Sequence, residues 1–118
     1  MDPVRGTGTA RGTQRPMISE LDTPAWEALE KKGPMLVEFY SKTCGPCKML
    51  GFVLKDVDKA MPDLPIYQID FNANEELKNR CGVKGFPTLL FLRDGEEVSR
   101  FEGLKQKPVI LKEIEKIM

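Results

Sequence analysis

The stretch Met35-Leu36-Val37-Glu38-Phe39-Tyr40, continuing through Ser41-Lys42 into Thr43-Cys44-Gly45-Pro46-Cys47-Lys48, runs from a strand-like apolar segment into two cysteines separated by two residues. Such a pair can close into a disulfide and reopen when the backbone keeps its sulfurs within reach. Pro46 suits the first turn of a helix, where its missing N–H costs nothing, and Gly45 gives the turn room. If the strand turns into a helix here, Cys44 faces the unpaired N–H groups and positive dipole end of that helix, which favour its thiolate. The thiolate is the attacking species in thiol–disulfide exchange, so this placement makes a cysteine reactive near neutral pH. Cys47, three residues on, projects from the same side of the first turn. Lys48 adds positive charge there or is simply solvated. Half of a structural zinc site and a static disulfide are the alternatives. A tetrahedral zinc site usually takes four Cys or His ligands, whereas this chain has no histidine and one further cysteine, Cys81, so no metal is expected.

Outward from this segment the pattern alternates between strand and helix. Cys44 to about Ala60 reads as a helix, with Met49, Leu50, Val53, Leu54 and Val57 at three- and four-residue spacing. Before it, Met17-Ile18-Ser19 is a marginal edge strand. Thr23 and Pro24 form an N-cap and first-turn pair for a short helix through Trp26, Leu29 and Glu30, which stops at Gly33-Pro34. After it, Ile66 to Ile69 is a second buried strand, and Asn74 is placed to cap a helix over Glu75 to Cys81. Thr88 to Arg93, the turn Asp94-Gly95 and Glu97 to Phe101 read as a hairpin. Val109, Ile110, Ile114 and Ile117 give a last helix its apolar stripe. A βαβ half followed by a ββα half implies an α/β fold, a mixed central sheet with helices on both faces.

Composition sets wider bounds. At 118 residues there is room for one sizeable core. Eighteen basic and eighteen acidic residues cancel, so no global field draws the chain to nucleic acid or to an anionic membrane. No apolar stretch approaches the length of a membrane span or serves as a secretory core. Three cysteines are too few, and odd in number, for a secreted disulfide framework, which makes a reducing cytoplasm the expected location. Residues 1–16, MDPVRGTGTARGTQRP, differ from the rest. With Val4 as their only sizeable apolar side chain after Met1, they are expected to be a disordered tail or an expression leader. Arg5, Arg11 and Arg15 suggest an organellar transit peptide faintly, but no Leu, Ile or Phe supplies an amphipathic face. The folded domain is expected over residues 17–118.

The Cys-Gly-Pro-Cys motif does not stand alone. With Val37-Glu38-Phe39-Tyr40 before it, Cys47-Lys48-Met49-Leu50 after it, then Gln68-Ile69-Asp70, Gly82-Val83-Lys84-Gly85-Phe86-Pro87-Thr88-Leu89-Leu90-Phe91, Arg93-Asp94-Gly95-Glu96 and Phe101-Glu102-Gly103, the chain resembles the thioredoxin family in order and approximate spacing from Met17 to Met118. The resemblance implies the thioredoxin fold and a protein-disulfide oxidoreductase in which Cys44 attacks and Cys47 resolves, with Gly45 and Pro46 shaping the motif. It implies that Glu38, which by its own residue context would face outward, is buried behind the cysteines and moves a proton for the second of them. It also implies that Pro87 is cis, that Phe86 offers its backbone to an extended substrate segment, and that Gly103 and Thr43 line the same groove. No cofactor beyond the Cys44–Cys47 disulfide is implied; partners would be protein disulfides and a thioredoxin-reductase-type electron donor, with the chain itself a monomer.

Departures from the family pattern are local. Thr43 replaces a tryptophan and removes an aromatic contact surface beside the site. Tyr40 and Phe52 replace a different aromatic and a helix-kinking proline. Glu38 stands where Asp is more usual, and the lysine that often faces that acid has no counterpart at Ile66 or Tyr67. Cys81 reads as a small apolar helix residue. A non-catalytic interaction module with the same fold, and a reductant dedicated to one partner, are the competing readings. An intact cysteine pair favours the enzyme.

Overall fold

A buried row of side chains at the centre of the sheet organises the molecule. The computed structural model describes residues 18–118; Met17 and the tail expected over residues 1–16 lie outside the described residues. The elements are β1 (Ile18–Glu20), α1 (Thr23–Ala28), β2 (Pro34–Tyr40), α2 (Gly45–Ala60), β3 (Ile66–Asp70), α3 (Glu75–Arg80), β4 (Thr88–Arg93), β5 (Glu96–Glu102) and α4 (Lys107–Ile114), closed by a 3₁₀ turn at Glu115–Ile117. The strands form one mixed sheet in the order β1-β3-β2-β4-β5. β3 runs parallel to β1 and to β2, while β4 is antiparallel to β2 and β5 to β4.

Each face of the sheet has its own core. Leu36 of β2, Ile66 of β3, and Leu89 and Phe91 of β4 pack with Leu50, Leu54 and Val57 of α2 and Ile110 and Ile114 of α4. Met35, Val37 and Phe39 turn the other way, onto Trp26 of α1, Leu77 of α3, and Ile69, Leu90 and Leu92. β2 is therefore covered on both sides, as a central strand of such a sheet must be. Glu38, between Leu36 and Tyr40, belongs to the face that α2 covers. The β4–β5 hairpin turns at Asp94 and Gly95, with φ of 53° and 83°, the pair of positive values that a tight two-residue turn requires.

Local expectations shift in three places. Asp22, not Thr23, caps α1: its Oδ1 accepts the Ala25 N–H at 2.9 Å. Thr23 is the first helical residue, its N–H and hydroxyl both donating to Asn74 Oδ1 at 2.8 and 3.0 Å. Asn74 stands at the N-cap of α3 but makes no side-chain cap, because its amide is spent on Thr23 and on the Asp70 carbonyl. α1 stops at Ala28, where the Lys31 ammonium takes the Trp26 and Leu29 carbonyls. Val109 of α4 is exposed, and Ile110 and Ile114 of α4 form the buried stripe together with Ile117 of the 3₁₀ turn.

Candidate active site

Ser41 and the end of β2 set up the cysteines. The Cys44 N–H donates to the Ser41 carbonyl at 3.2 Å, while the Ser41 hydroxyl accepts from Asn72 Nδ2 at 3.1 Å. Cys44 is thereby the N-cap of α2, in extended backbone, and its Sγ accepts the Cys47 N–H at 3.1 Å. This is one of the orphan donors of the helix start, aimed at the sulfur that would carry charge. Cys44 and Cys47 form a disulfide with Cα atoms 5.2 Å apart. Cys44 is 8% exposed and Cys47 4%, whereas Thr43, Gly45 and Pro46 around them are open to solvent.

The peptide bond Phe86–Pro87 is cis. Phe39 pairs with Thr88, and Thr88 with Glu102, so Pro87 and Gly103 lie at the end of the sheet from which the cysteine loop departs. The Gly103 N–H donates to the Pro87 carbonyl at 2.8 Å, and Gly103 has a φ of 91°. Phe86 is exposed and sets its ring edge-on to Phe71 at 5.1 Å. Thr43, the two cysteines, Phe86, Pro87 and Gly103 thus share one end of the sheet.

Glu38 is fully buried, not outward-facing. Its Oε1 accepts Gln68 Nε2 at 2.9 Å, while Oε2 is buried without a partner among the described residues. Burial pushes the carboxyl up to about 7, against the smaller opposing effect of the Gln68 hydrogen bond. Gln68 was not among the residues anticipated for the site. It reaches from β3 into a groove that it lines together with Cys47, Tyr40, Lys42, Lys48 and Phe52. One signal could have found it: a polar residue inside the apolar run Ile66 to Ile69, level with Glu38 once β2 and β3 pair in parallel register.

Cys81 is the C-cap of α3 and packs against the core on the far face. Burial raises its thiol pKa despite the nearby Arg100 and Arg80, which makes it a poor nucleophile. A Cys81→Ser variant is expected to keep its disulfide-reduction rate within about a factor of two; a steady-state assay checks this. Among the described residues no group of three or more Cys, Asp or Glu is placed to hold a metal ion, and no helix is long and apolar enough to cross a membrane.

A mixed sheet carrying a dithiol at the N-terminus of its central helix defines a class of proteins that exchange thiols for disulfides. Residues 18–116 match the family model described as Thioredoxin. The chain is 40% identical over 87 residues to the thioredoxin of Bacillus subtilis (strain 168), a match covering 73% of this chain and 84% of that one. It is also 40% identical over 84 residues to the thioredoxin of Chlamydia muridarum, covering 71% and 82%. Thioredoxin NaTrxh from Nicotiana alata superposes with a TM-score of 0.76 at 27% identity, over 92% of this chain and 98% of that one. The chain belongs to the thioredoxin family, and it is a thiol–disulfide oxidoreductase.

Proposed function

We propose that this protein reduces disulfides of other proteins, with Cys44 as nucleophile, Cys47 as resolving thiol and Glu38 as the group that takes the proton from Cys47. In the reduced protein the Cys44 thiolate attacks a substrate disulfide. A Cys44–substrate bond forms, the substrate S–S bond breaks, and the departing substrate sulfur takes a proton. Cys47 then loses its proton to Glu38 and attacks Cys44. The Cys44–Cys47 disulfide closes and the second substrate thiol leaves, so the substrate gains the two electrons that the dithiol gives up. The observation that carries the assignment is the Cys47 N–H aimed at Cys44 Sγ at 3.1 Å, which stabilises charge on Cys44 rather than on Cys47.

The surface around Cys44 fits an extended protein segment: Phe86 is exposed beside Pro87, and Gly103 adjoins it. Thr43, directly before Cys44, adds no aromatic contact of its own to this surface, which favours a restricted set of partners over a broad one. A reductase of the thioredoxin-reductase type regenerates the dithiol, and the chain works as a cytoplasmic monomer in cellular redox homeostasis. The described fold begins at Ile18, and deletion of residues 1–16 is expected to leave the rate unchanged.

Brief alkylation of the reduced protein with iodoacetamide at pH 7 tests the roles. Label is expected on Cys44 several-fold faster than on Cys47, with loss of insulin reduction in step with Cys44 modification. Preferential labelling of Cys47 would reverse the assignment. Turnover with several candidate reductases then identifies the electron donor.

A further inference from the structure

Glu20 of β1, Gln68 of β3, Glu38 of β2 and Leu89 of β4 lie level across the sheet. Within this row Gln68 alone reaches both worlds. It is half-buried, it lines the groove that Cys47 also lines, and its Nε2 donates to the sealed Glu38 Oε1 at 2.9 Å. Tyr40 and Asp70, the ionisable neighbours on β2 and β3, have partners of their own. The Tyr40 hydroxyl donates to Glu20 at 2.5 Å. Asp70 pairs with Lys42 at 3.9 Å and takes the backbone N–H groups of Asn72 and Ala73. From α2 come the cysteines, Lys48 and Lys55 at the groove, and buried Asp58. β4 brings apolar Leu89, and the buried residues of α4 are Ile110 and Ile114. Gln68 is therefore the one hydrogen-bonding partner of Glu38 among the described residues.

An amide suits a proton carrier in a way that a fixed cation does not. Its nitrogen donates to an ionised carboxylate; turned over by half a rotation, its oxygen accepts from the O–H of a protonated one. Neither form of the buried acid need then lose its partner, a loss that is costly away from water. A lysine would favour the charged form alone.

We propose that Gln68 is the positioning residue for Glu38, holding the buried carboxylate on the α2 side of the sheet and, by turning its amide over, bonding both the ionised and the protonated acid, the ionised one more strongly. This rests on the reading of Glu38 as the proton acceptor for Cys47, yet part of its test is independent of it. In the oxidised protein the cysteines do not titrate, so the Glu38 carboxyl can be followed alone by carbon NMR.

Gln68→Met, of similar size but without the donor, is expected to move the Glu38 midpoint up by about half to one pH unit. Gln68→Lys is expected to move it down. In the reduced protein the pH midpoint of the resolution step should follow in the same direction. For the Met variant the rate at pH 7 then falls by about two- to fivefold while the high-pH plateau is kept. A purely packing role would not produce shifts of opposite sign. Glu38 midpoints unchanged in both variants would overturn the assignment of Gln68. Midpoints that shift as expected while the resolution step keeps its pH dependence would uphold Gln68 as the partner of Glu38 and remove Glu38 from the reaction.

Discussion

A Cys44→Ser variant is expected to lose disulfide reduction down to the uncatalysed background and to capture no substrate, whereas Cys47→Ser loses turnover but accumulates a stable mixed disulfide. The asymmetry follows from the first turn of α2. Serine at position 44 still caps the helix through its hydroxyl oxygen, so the fold should survive. Its hydroxyl, however, stays protonated and cannot displace a sulfur at neutral pH. Serine at position 47 leaves the Cys44 thiolate and its hydrogen-bond donor in place, and the first attack proceeds. The missing second thiol then strands the intermediate, which accumulates up to one equivalent per protein. Non-reducing electrophoresis or intact mass after mixing with a disulfide protein reads both outcomes. A Cys44→Ser variant that still trapped substrate through Cys47 would invert the two roles.

The cysteine turn was legible in the sequence because everything that shapes it is local. Cap, glycine, proline and second cysteine fall within four residues, and the apolar spacing from Leu50 to Val57 declares the buried side of α2. The Asp94-Gly95 turn is local in the same sense. Glu38 is the opposite case. Because β2 is covered on both faces, the strand shows no alternation from which to tell inside from outside. Its hydrogen-bond partner stands thirty positions away. Residue context alone favoured an exposed acid, and only the family resemblance pointed inward. Asn74 shows the same limit: as a nominal cap it looked committed to α3, but its carbonyl oxygen is taken by Thr23, 51 positions earlier. Val109 fits the helical period of α4 as well as Ile110 does. The sheet, not the period, decides which of the two is covered.

Glu38→Gln is expected to make the protein more stable and less competent at once. The Glu38 carboxyl is raised from 4.5 to about 7 in the fold, chiefly by burial. Between those values the folded chain holds a proton that the unfolded chain has released. Stability therefore falls as pH rises through that window, by about 1.4 kcal/mol per unit and about 3 kcal/mol in all, and stays lower above pH 7. Gln at position 38 is neutral at every pH and can still bond Gln68. The variant should match the parent near pH 4 and exceed it by up to about 3 kcal/mol at pH 8, with the slope between removed. Urea unfolding of the oxidised proteins at pH 4, 6 and 8 checks this; equal stabilities at pH 8 would mean that the buried carboxylate carries no penalty. On the proposed role of Glu38, the same change in the reduced protein removes the acceptor for the Cys47 proton. Resolution is then expected to slow by up to about a hundredfold, the lower end of what a positioned acid–base group contributes, while the first attack by Cys44 is less affected. If Glu38 takes the Cys47 proton, its ionisation in the reduced protein is coupled to that of the thiols, so the parent's profile belongs to the cluster and the variant's should be simpler. A resolution rate unchanged in Glu38→Gln would exclude Glu38 from the reaction, leaving the buried acid a destabilising residue that the site does not use.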